Sequence, residues 1–261
     1  MEMSMLPPDA QNPAGVEREA REEAAALQAR YGRLEPELVI ELCIDRLFAE
    51  EIAVVSSFGA ESAVLLHMIS EIDRTLPVQF LDTGKHFSGT HDHREALVAM
   101  LGLVDVRIVE PDPDLLGTAD SVGMLFAQNA DACCNVRKVE PMARAIAPFR
   151  AWMTGRKRYQ SATRTALPVF EAVGPRVRIN PLARWRAQDV DIYKSIHRLP
   201  DHPLSAEGYR SIGCQPCTRP VADGGDDRDG RWAGMNKIEC GIHLGGLGRA
   251  LETAPLRGSG R

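Results

Sequence analysis

Five of the six cysteines stand in a pattern suited to metal binding or covalent chemistry. The adjacent pair Cys133-Cys134 precedes a Cys-x-x-Cys motif, Cys214 and Cys217, by about 80 residues, and Cys240 follows alone. Two thiolates at Cys-x-x-Cys spacing can turn onto one metal ion or cluster. Adjacent cysteines point in different directions and meet two corners of a bulky cluster more easily than one ion, which favours a four-iron cluster. Spacing alone leaves a zinc site with four cysteine ligands open.

Cys240 has the surroundings of a reactive thiol. Lys237 and His243 flank it, and Arg228 and Arg231 precede it. Because nearby cations lower the pKa of a thiol, and the thiolate is the nucleophile, Cys240 is a candidate for covalent catalysis. The residues alone leave a passive loop thiol open. Cys43 lies within an apolar helical pattern and is predicted to be a core residue.

The first polar loop follows an apolar run and opens a helical pattern, so backbone N–H groups and the helix dipole can hold a phosphate or sulfate there. Its candidate binding residues are Ser56, Ser57, Phe58, Gly59, Glu61 and Ser62. The Gly-Lys-Ser/Thr ending of a Walker A loop is absent. On these residues alone, a simple turn between strand and helix stays equally open.

Two further polar loops follow predicted strands. The second contains Asp82, Thr83 and Gly84, and the third contains Thr154, Gly155, Arg158 and, just beyond, Arg164. A single cationic cluster is more often a solvated face. Three polar loops at three successive strand ends instead predict one anion-binding crevice.

These motifs depend on alternating strands and helices. Predicted strands cover 52–55, 78–81, 104–109, 151–154 and 177–179, and predicted helices cover 17–31, 62–72, 90–101, 137–147 and 186–197. This alternation predicts an α/β fold, a doubly wound, mostly parallel sheet whose ligand lies outside the carboxyl ends of the strands. We expect a flexible N-terminus over 1–16, a nucleotide-binding domain over 17–200, an irregular segment with the cysteine motifs over 201–245 and a loose tail over 246–261.

Composition limits the partners and the compartment. The 261-residue chain is 44% hydrophobic with a formal net charge of −5, so it lacks a general nucleic-acid signature, and no apolar run approaches the roughly 18 residues that span a bilayer. We therefore expect a cytoplasmic protein without nucleic-acid or membrane partners. In a reducing compartment, closely spaced cysteines indicate metal binding or catalysis rather than disulfides.

The Cys-Cys pair, the distal Cys-x-x-Cys and the later Glu239-Cys240-Gly241-Ile242-His243 together resemble the signature of bacterial assimilatory adenylylsulfate reductases, within the phosphoadenylylsulfate reductase family. The first loop resembles the family variant of a Ser-Gly-Gly-x-Asp-Ser signature. The similarity covers roughly residues 50–245. It implies an adenine nucleotide alpha hydrolase-like fold of the PP-loop type, with an irregular C-terminal segment.

The resemblance also implies residue roles. Cys133, Cys134, Cys214 and Cys217 would hold a [4Fe-4S] cluster, Lys138 would lie between cluster and substrate, and Cys240 would be the catalytic nucleophile. Arg228 and Arg231 would bind phosphosulfate, the strand-end loops the nucleotide, and His243 would be a further substrate-binding residue. The implied reaction converts adenylylsulfate to sulfite and AMP through a Cys S-sulfonate, with a thioredoxin- or glutaredoxin-like reductant. We also expect a homo-oligomer, of undetermined size.

The sequence departs from the family pattern in the segment before Cys240. The spacing from Arg231 to Cys240 is slightly short, and Ala233 follows Trp232 where another aromatic residue is usual. Two alternative functions stay open. One is reduction of the 3'-phosphorylated nucleotide, phosphoadenylylsulfate; the other is an ATP-using PP-loop thiolase or ligase, which would need an intact Ser-Gly-Gly-x-Asp loop.

Overall fold

A computed structural model describes residues 13–222, 224–235, 237, 239–243 and 246–252. Its centre is a six-stranded sheet with the order β3-β2-β1-β4-β6-β5. The strands are β1 (Ile52–Ser56), β2 (Val78–Leu81), β3 (Val106–Val109), β4 (Ala151–Thr154), β5 (Phe170–Val173) and β6 (Arg176–Ile179). Neighbours pair in parallel except β5 with β6, which form an antiparallel hairpin. The predicted mostly parallel α/β sheet is confirmed.

Helices cover both faces of the sheet. They are α1 (Pro13–Tyr31), α2 (Pro36–Leu42), α3 (Ser62–Ile72), α4 (Ser88–Leu101), α5 (Pro113–Ala119), α6 (Leu125–Gln128), α7 (Ala130–Cys134), α8 (Glu140–Ile146), α9 (Ala187–His197) and α10 (Gly246–Glu252). Two π-helical turns cover Cys43–Leu47 and Asn135–Val139. Within the described ranges, no helix combines the length and apolar character needed to cross a membrane.

The alternation of side chains along β1 explains why a helical layer packs on each face of the sheet. Ile52 and Val54 belong to the main core, while Val55 packs against a second core on the opposite face. Successive residues of a strand point to opposite faces, so a strand buried on both sides requires a helical layer on each. The second core includes Met142 of α8 and Leu247 of α10.

The strand order reverses beside β1, and this reversal positions the site. The chain runs from β1 outward through β2 to β3, then returns to β4 on the other side of β1. Loops leaving the carboxyl ends of such neighbouring strands separate and leave a crevice between them. The first and third polar loops follow β1 and β4 and therefore border this crevice.

Several element boundaries differ from those predicted. Strand β5 was not expected. It has only four residues, and those after Phe170 are half-buried, so it lacks the apolar run that marks the other strands. The predicted helix 137–147 is a π-turn over Asn135–Val139 followed by α8. The apolar spacing alone does not distinguish these two helix types.

Parts of both ends that were expected to be flexible form helices. Helix α1 begins at Pro13, within the expected flexible 1–16; residues 1–12 lie outside the described part. The expected loose tail 246–261 is wrong for 246–252, which form α10. Leu247 and Leu251, four residues apart on one helical face, are fully buried in the second core. Residues 253–261 are not described.

Candidate active site

One large cavity opens at the carboxyl ends of β1 and β4. We call it the cleft. Thirteen of the predicted site residues line it: Ser56, Ser57, Gly59, Glu61, Ser62, Lys138, Thr154, Gly155, Arg164, Arg228, Arg231, Cys240 and His243. The structure therefore brings the first loop, the third loop and the C-terminal segment together. Phe58, Asp82, Thr83, Gly84 and Arg158 are not among the lining residues.

The first loop turns sharply so that the start of α3 faces the cleft. Phe58 adopts a left-handed φ of 47°, and its backbone N–H donates to Ser56 Oγ at 3.2 Å. Its ring is fully buried and contacts Phe80 edge-on, with centroids 5.5 Å apart. Phe58 was predicted to bind substrate, but its side chain lies in the core because the turn directs it beneath the loop.

The third loop is tied to the first by an ion pair. Lys157 Nζ donates to Glu61 Oε2 at 2.8 Å, Gln160 Nε2 donates to the same oxygen at 2.7 Å, and Tyr159 donates to the other carboxylate oxygen. Burial opposes ionisation of Glu61, but the charge of Lys157 holds the pKa of Glu61 below its usual value. Glu61 is therefore a carboxylate that fixes the two loops relative to each other.

Two arginines of the third loop have positions other than those expected: Arg158 does not line the cleft, and Arg156 does. Arg158 Nε donates to the carbonyl of Leu167 at 2.9 Å, so its guanidinium serves the loop rather than the cleft. Arg156, which the sequence reasoning did not select, lines the cleft and pairs with Glu171 at 2.8 Å. Only its place in the same cationic run could have indicated it.

The second loop supports a cysteine instead of lining the cleft. Asp82 Oδ1 accepts the N–H of Gly84 at 2.9 Å, which closes the turn. Thr83 Oγ1 lies 3.3 Å from Cys214 Sγ, and the carbonyl of Thr83 accepts a hydrogen bond from Arg137 at 2.7 Å. Because Cys214 also forms a β-bridge with His86, this loop holds the Cys-x-x-Cys segment against the sheet edge.

A smaller cavity beside the cleft is lined by four thiols. We call it the thiol cavity; its cysteines are Cys133, Cys134, Cys214 and Cys217. All four are free, and burial raises the pKa of Cys133 and Cys217. In the described ranges, no three His, Cys, Asp or Glu side chains form a group able to hold one metal ion. Cys43 is fully buried in the main core, as predicted.

The π-turn after Cys134 places Lys138 between the two cavities. Lys138 lines both the cleft and the thiol cavity. Burial acts against its charged form, but Cys214 and Cys240 raise the pKa of Lys138 above its usual value. A π-turn widens the helix by one residue and is common at functional sites. Lys138 is therefore a cation that faces both cavities.

Cys240 is a buried residue of the cleft lining. It is 6% exposed and packs with Cys134 and Trp232. A hydrogen bond with Cys134 holds the pKa of Cys240 well below its usual value; burial opposes this shift, and the charges of Lys138 and Arg231 add to it. The positive charges of Lys138 and Arg231 act whether or not Cys134 carries a proton, and they favour the nucleophilic thiolate.

His243 differs from the expectation that it is a cation beside Cys240. Burial, together with the positive charges of Arg164 and Arg156, holds the pKa of His243 well below its usual value. A neutral imidazole contributes no charge to a thiolate. The positive charges that favour the Cys240 thiolate come instead from Lys138 and Arg231.

The two arginines before Cys240 line the cleft and lie against Trp232. The guanidinium of Arg231 lies over the Trp232 ring, 4.6 Å from its centroid, and that of Arg228 lies 5.5 Å from it. Within the part of the chain that the structure describes, the buried Nε atoms of both arginines lack a hydrogen-bond partner. Both residues line the cleft, and a guanidinium there is suited to binding an anion.

Comparisons with known proteins agree on one family. The phosphoadenosine phosphosulfate reductase domain matches residues 51–220. An adenosine 5'-phosphosulfate reductase of Mesorhizobium japonicum is 60% identical to this chain, and the match covers 89% of this chain and 92% of the relative. A phosphoadenosine 5'-phosphosulfate reductase of Gloeobacter violaceus is 39% identical, and the match covers 83% of this chain and 92% of the relative. A crystal structure of phosphoadenylyl-sulfate reductase from Candida auris, a phosphate complex, has a TM-score of 0.63 at 27% identity, covering 77% of this chain and 97% of its own.

Proposed function

The chain belongs to the phosphoadenosine phosphosulfate reductase family, and we propose that it reduces adenylylsulfate to sulfite and AMP with electrons from a thioredoxin- or glutaredoxin-like protein. The observation that carries this proposal is the position of Cys240. Its buried thiol lines a cleft that Lys138, Arg228 and Arg231 also line. A nucleophile beside three cations suits an anionic electrophile.

In the proposed first step, the Cys240 thiolate attacks the sulfur of adenylylsulfate. A sulfur–sulfur bond forms, the bond between that sulfur and the bridging phosphate oxygen breaks, and AMP leaves with the electron pair. The N-terminus of α3 and the first loop hold the nucleotide, while Arg228 and Arg231 fork onto the phosphosulfate oxygens. These positive groups stabilise the charge that develops on the leaving phosphate.

In the second step, a thiolate of the dithiol protein attacks Cys240 Sγ. Sulfite leaves with the electron pair of the sulfur–sulfur bond, and a mixed disulfide forms. The partner's second thiol then releases the Cys240 thiolate and closes a disulfide in the partner. Two electrons therefore pass from the dithiol to the sulfonyl sulfur, and the two thiol protons are released.

We further propose that the four cysteines of the thiol cavity hold a [4Fe-4S] cluster. The donor set suits a cluster rather than a single ion: four free thiols from two distant segments line one cavity, and a four-iron cluster takes each thiolate on a separate iron instead of gathering three around one ion. A cluster bound there would supply an electrostatic field beside the cleft. Lys138, which lines both cavities, would then polarise and orient the sulfonyl group.

The nucleotide preference decides between the two reductase activities. The Mesorhizobium relative is named for the adenosine 5'-phosphosulfate substrate and is more similar to this chain than the Gloeobacter relative, which is named for the 3'-phosphorylated one. Sulfite formation from each nucleotide, with thioredoxin present, tests the proposal. We expect turnover of adenylylsulfate and at least roughly tenfold slower turnover of the 3'-phosphorylated form. The reverse order would identify a phosphoadenylylsulfate reductase.

A further inference from the structure

The carboxylate of Glu239, immediately before Cys240, is buried among positive charges. It accepts hydrogen bonds from Arg164 Nε at 2.9 Å and Nη2 at 3.1 Å, and from Arg228 Nη2 at 2.9 Å. It also accepts the backbone N–H of Cys240 at 2.9 Å. The side chain is 3% exposed. One buried carboxylate thus joins the third strand-end loop to the backbone of the predicted nucleophile.

Glu239 is charged in this arrangement. Burial opposes ionisation, but the charges of Arg164 and Arg228 hold the pKa of Glu239 below its usual value. A charge-assisted, two-point bond between guanidinium and carboxylate fixes both distance and orientation. The contact therefore positions Cys240 rather than merely neutralising a charge.

Arg164 is largely committed to this contact. Its Nε and Nη2 bond Glu239, and its Nη1 donates to Gln160 Oε1 at 2.6 Å. Arg228 donates to the same carboxylate through Nη2 alone, and Arg231 lines the cleft beside it. The cleft arginines thus differ in role: Arg164 binds Glu239 through two nitrogens and Arg228 through one, whereas Arg231 lies over Trp232.

Other contacts of the same segment support a docked state. Arg178 Nη1 donates to the carbonyl of Ile242 at 3.2 Å. A side chain at Gly241 would place its Cβ 2.9 Å from Val139 Cγ2, so the backbone there packs directly on the π-turn. With Cys240 6% exposed, a protein dithiol cannot reach its sulfur in this state.

We propose that Glu239 is a positioning residue whose ion pair with Arg164 latches the segment bearing Cys240 into the cleft. This inference rests on the proposed function, since sulfonation needs the docked state and release of sulfite to a protein thiol needs the undocked one. The latch sets the balance between the two states. Weakening it favours the second step at the expense of the first.

The test compares Glu239→Gln, which keeps shape and the acceptor for the Cys240 N–H, with Glu51→Gln. Glu51 also forms an ion pair with an arginine distant in the sequence, Arg150, at 2.9 Å. Neither residue lines the cleft. Two thiol-reactive alkylating agents are used, one small and one bulky. Peptide mass mapping measures the rate at which each modifies Cys240. A change in thiol pKa alters both rates alike, whereas undocking raises the rate with the bulky reagent more.

For Glu239→Gln we expect the bulky-to-small rate ratio to rise about tenfold and single-turnover sulfonation to slow about tenfold, as for the loss of one charge-assisted hydrogen bond. AMP affinity and sulfite release from the preformed S-sulfonate should not fall. Glu51→Gln should match wild type. An unchanged ratio in Glu239→Gln would overturn the latch, and so would tighter AMP binding, since Glu239 would then compete with the nucleotide.

A double-mutant cycle keeps the test informative if single variants lose stability. If the ion pair is the latch, Arg164→Gln raises the bulky-to-small rate ratio as Glu239→Gln does. The double variant then raises this ratio no further than the more severe single variant. Additive effects would overturn the coupling. If wild type forms no S-sulfonate with adenylylsulfate while Glu239→Gln still raises the ratio, the proposed function fails and the latch stands.

Discussion

The hydroxyl oxygen of Thr83 lies 3.3 Å from the sulfur of Cys214 in a fully buried contact. The same oxygen accepts the backbone N–H of Lys85 at 3.2 Å, so its own proton is available to the sulfur. A hydroxyl donor directed at a cysteine suits a thiolate ligand, because hydrogen bonds to ligand sulfurs stabilise and tune a bound metal centre. The second strand-end loop therefore supports the thiol cavity from outside the cleft.

Replacing Thr83 by Val should weaken the proposed metal centre without affecting nucleotide binding. The variant keeps the shape but loses a hydrogen bond worth about 1 kcal/mol, so bleaching of visible absorbance by a chelator should quicken about fivefold. AMP affinity should match wild type. Thr118→Val is the matched control, because among the described residues its hydroxyl bonds only the carbonyl of Asp114, on the exposed helix α5. Equal bleaching rates in both variants would show that the Thr83 contact does not support the centre.

Alanine replacement of any cysteine of the thiol cavity should bleach the protein and lower its stability. The reason is that a cluster joins two distant segments, and its binding energy contributes to folding. Cys43→Ala is the control: it removes a core thiol and should retain the visible absorbance that a bound cluster would give. Visible absorbance near 400 nm and iron and zinc content are the measurements. A colourless wild type, purified without air and holding stoichiometric zinc, would reverse the assignment.

Lys138→Ala should slow S-sulfonate formation by roughly a hundredfold while AMP affinity is retained. Lys138 faces both cavities, so it acts where the sulfonyl group reacts, whereas the nucleotide is assigned to the strand-end loops. Lys194→Ala, which removes an ion pair with Asp201, is the control. Normal single-turnover sulfonation with weakened AMP binding would make Lys138 a nucleotide-binding residue instead.

The ion pair of Glu61 and Lys157, which holds the first and third loops together, should also stabilise the folded protein. Lys157 is 1% exposed, so Glu61→Ala leaves a buried cation unpaired and should lower the free energy of unfolding by about 3 kcal/mol. The double change Glu61→Ala with Lys157→Met removes that charge and should recover part of the loss. Urea unfolding of the three proteins measures this difference. A double variant less stable than Glu61→Ala would contradict the account.

The sequence predicts the strands well and the loop contacts poorly, for a physical reason. Parallel strands buried on both faces appear as mostly apolar runs, which is why β1, β2 and β4 lie where expected; β6 also lies there, although two arginines alternate with its apolar residues. The direction of a side chain in a turn depends on partners far along the chain. Phe58 and Thr83 lie in the predicted loops, yet one packs in the core and the other contacts Cys214.

Residues that act through distant partners were the ones missed. Glu239 adjoins Cys240 in the sequence, but Arg164, which binds it, lies 75 residues earlier. The π-turn that carries Lys138 was also missed, because one extra residue per turn leaves the apolar pattern almost unchanged. The nucleotide and cluster roles of the site residues stay predictions that the variants above test.

The nucleophilic role of Cys240 is the central claim, and intact-mass measurement tests it most directly. Wild type mixed with adenylylsulfate without a thiol should gain the mass of one SO₃ group on Cys240 and release one AMP, and thioredoxin should then remove that group as sulfite. Cys240→Ser should gain no mass and produce no sulfite, while it keeps its visible absorbance and AMP affinity. Sulfite production by Cys240→Ser at about a tenth of the wild-type rate or more, or an SO₃ group mapped to another cysteine, would contradict the claim.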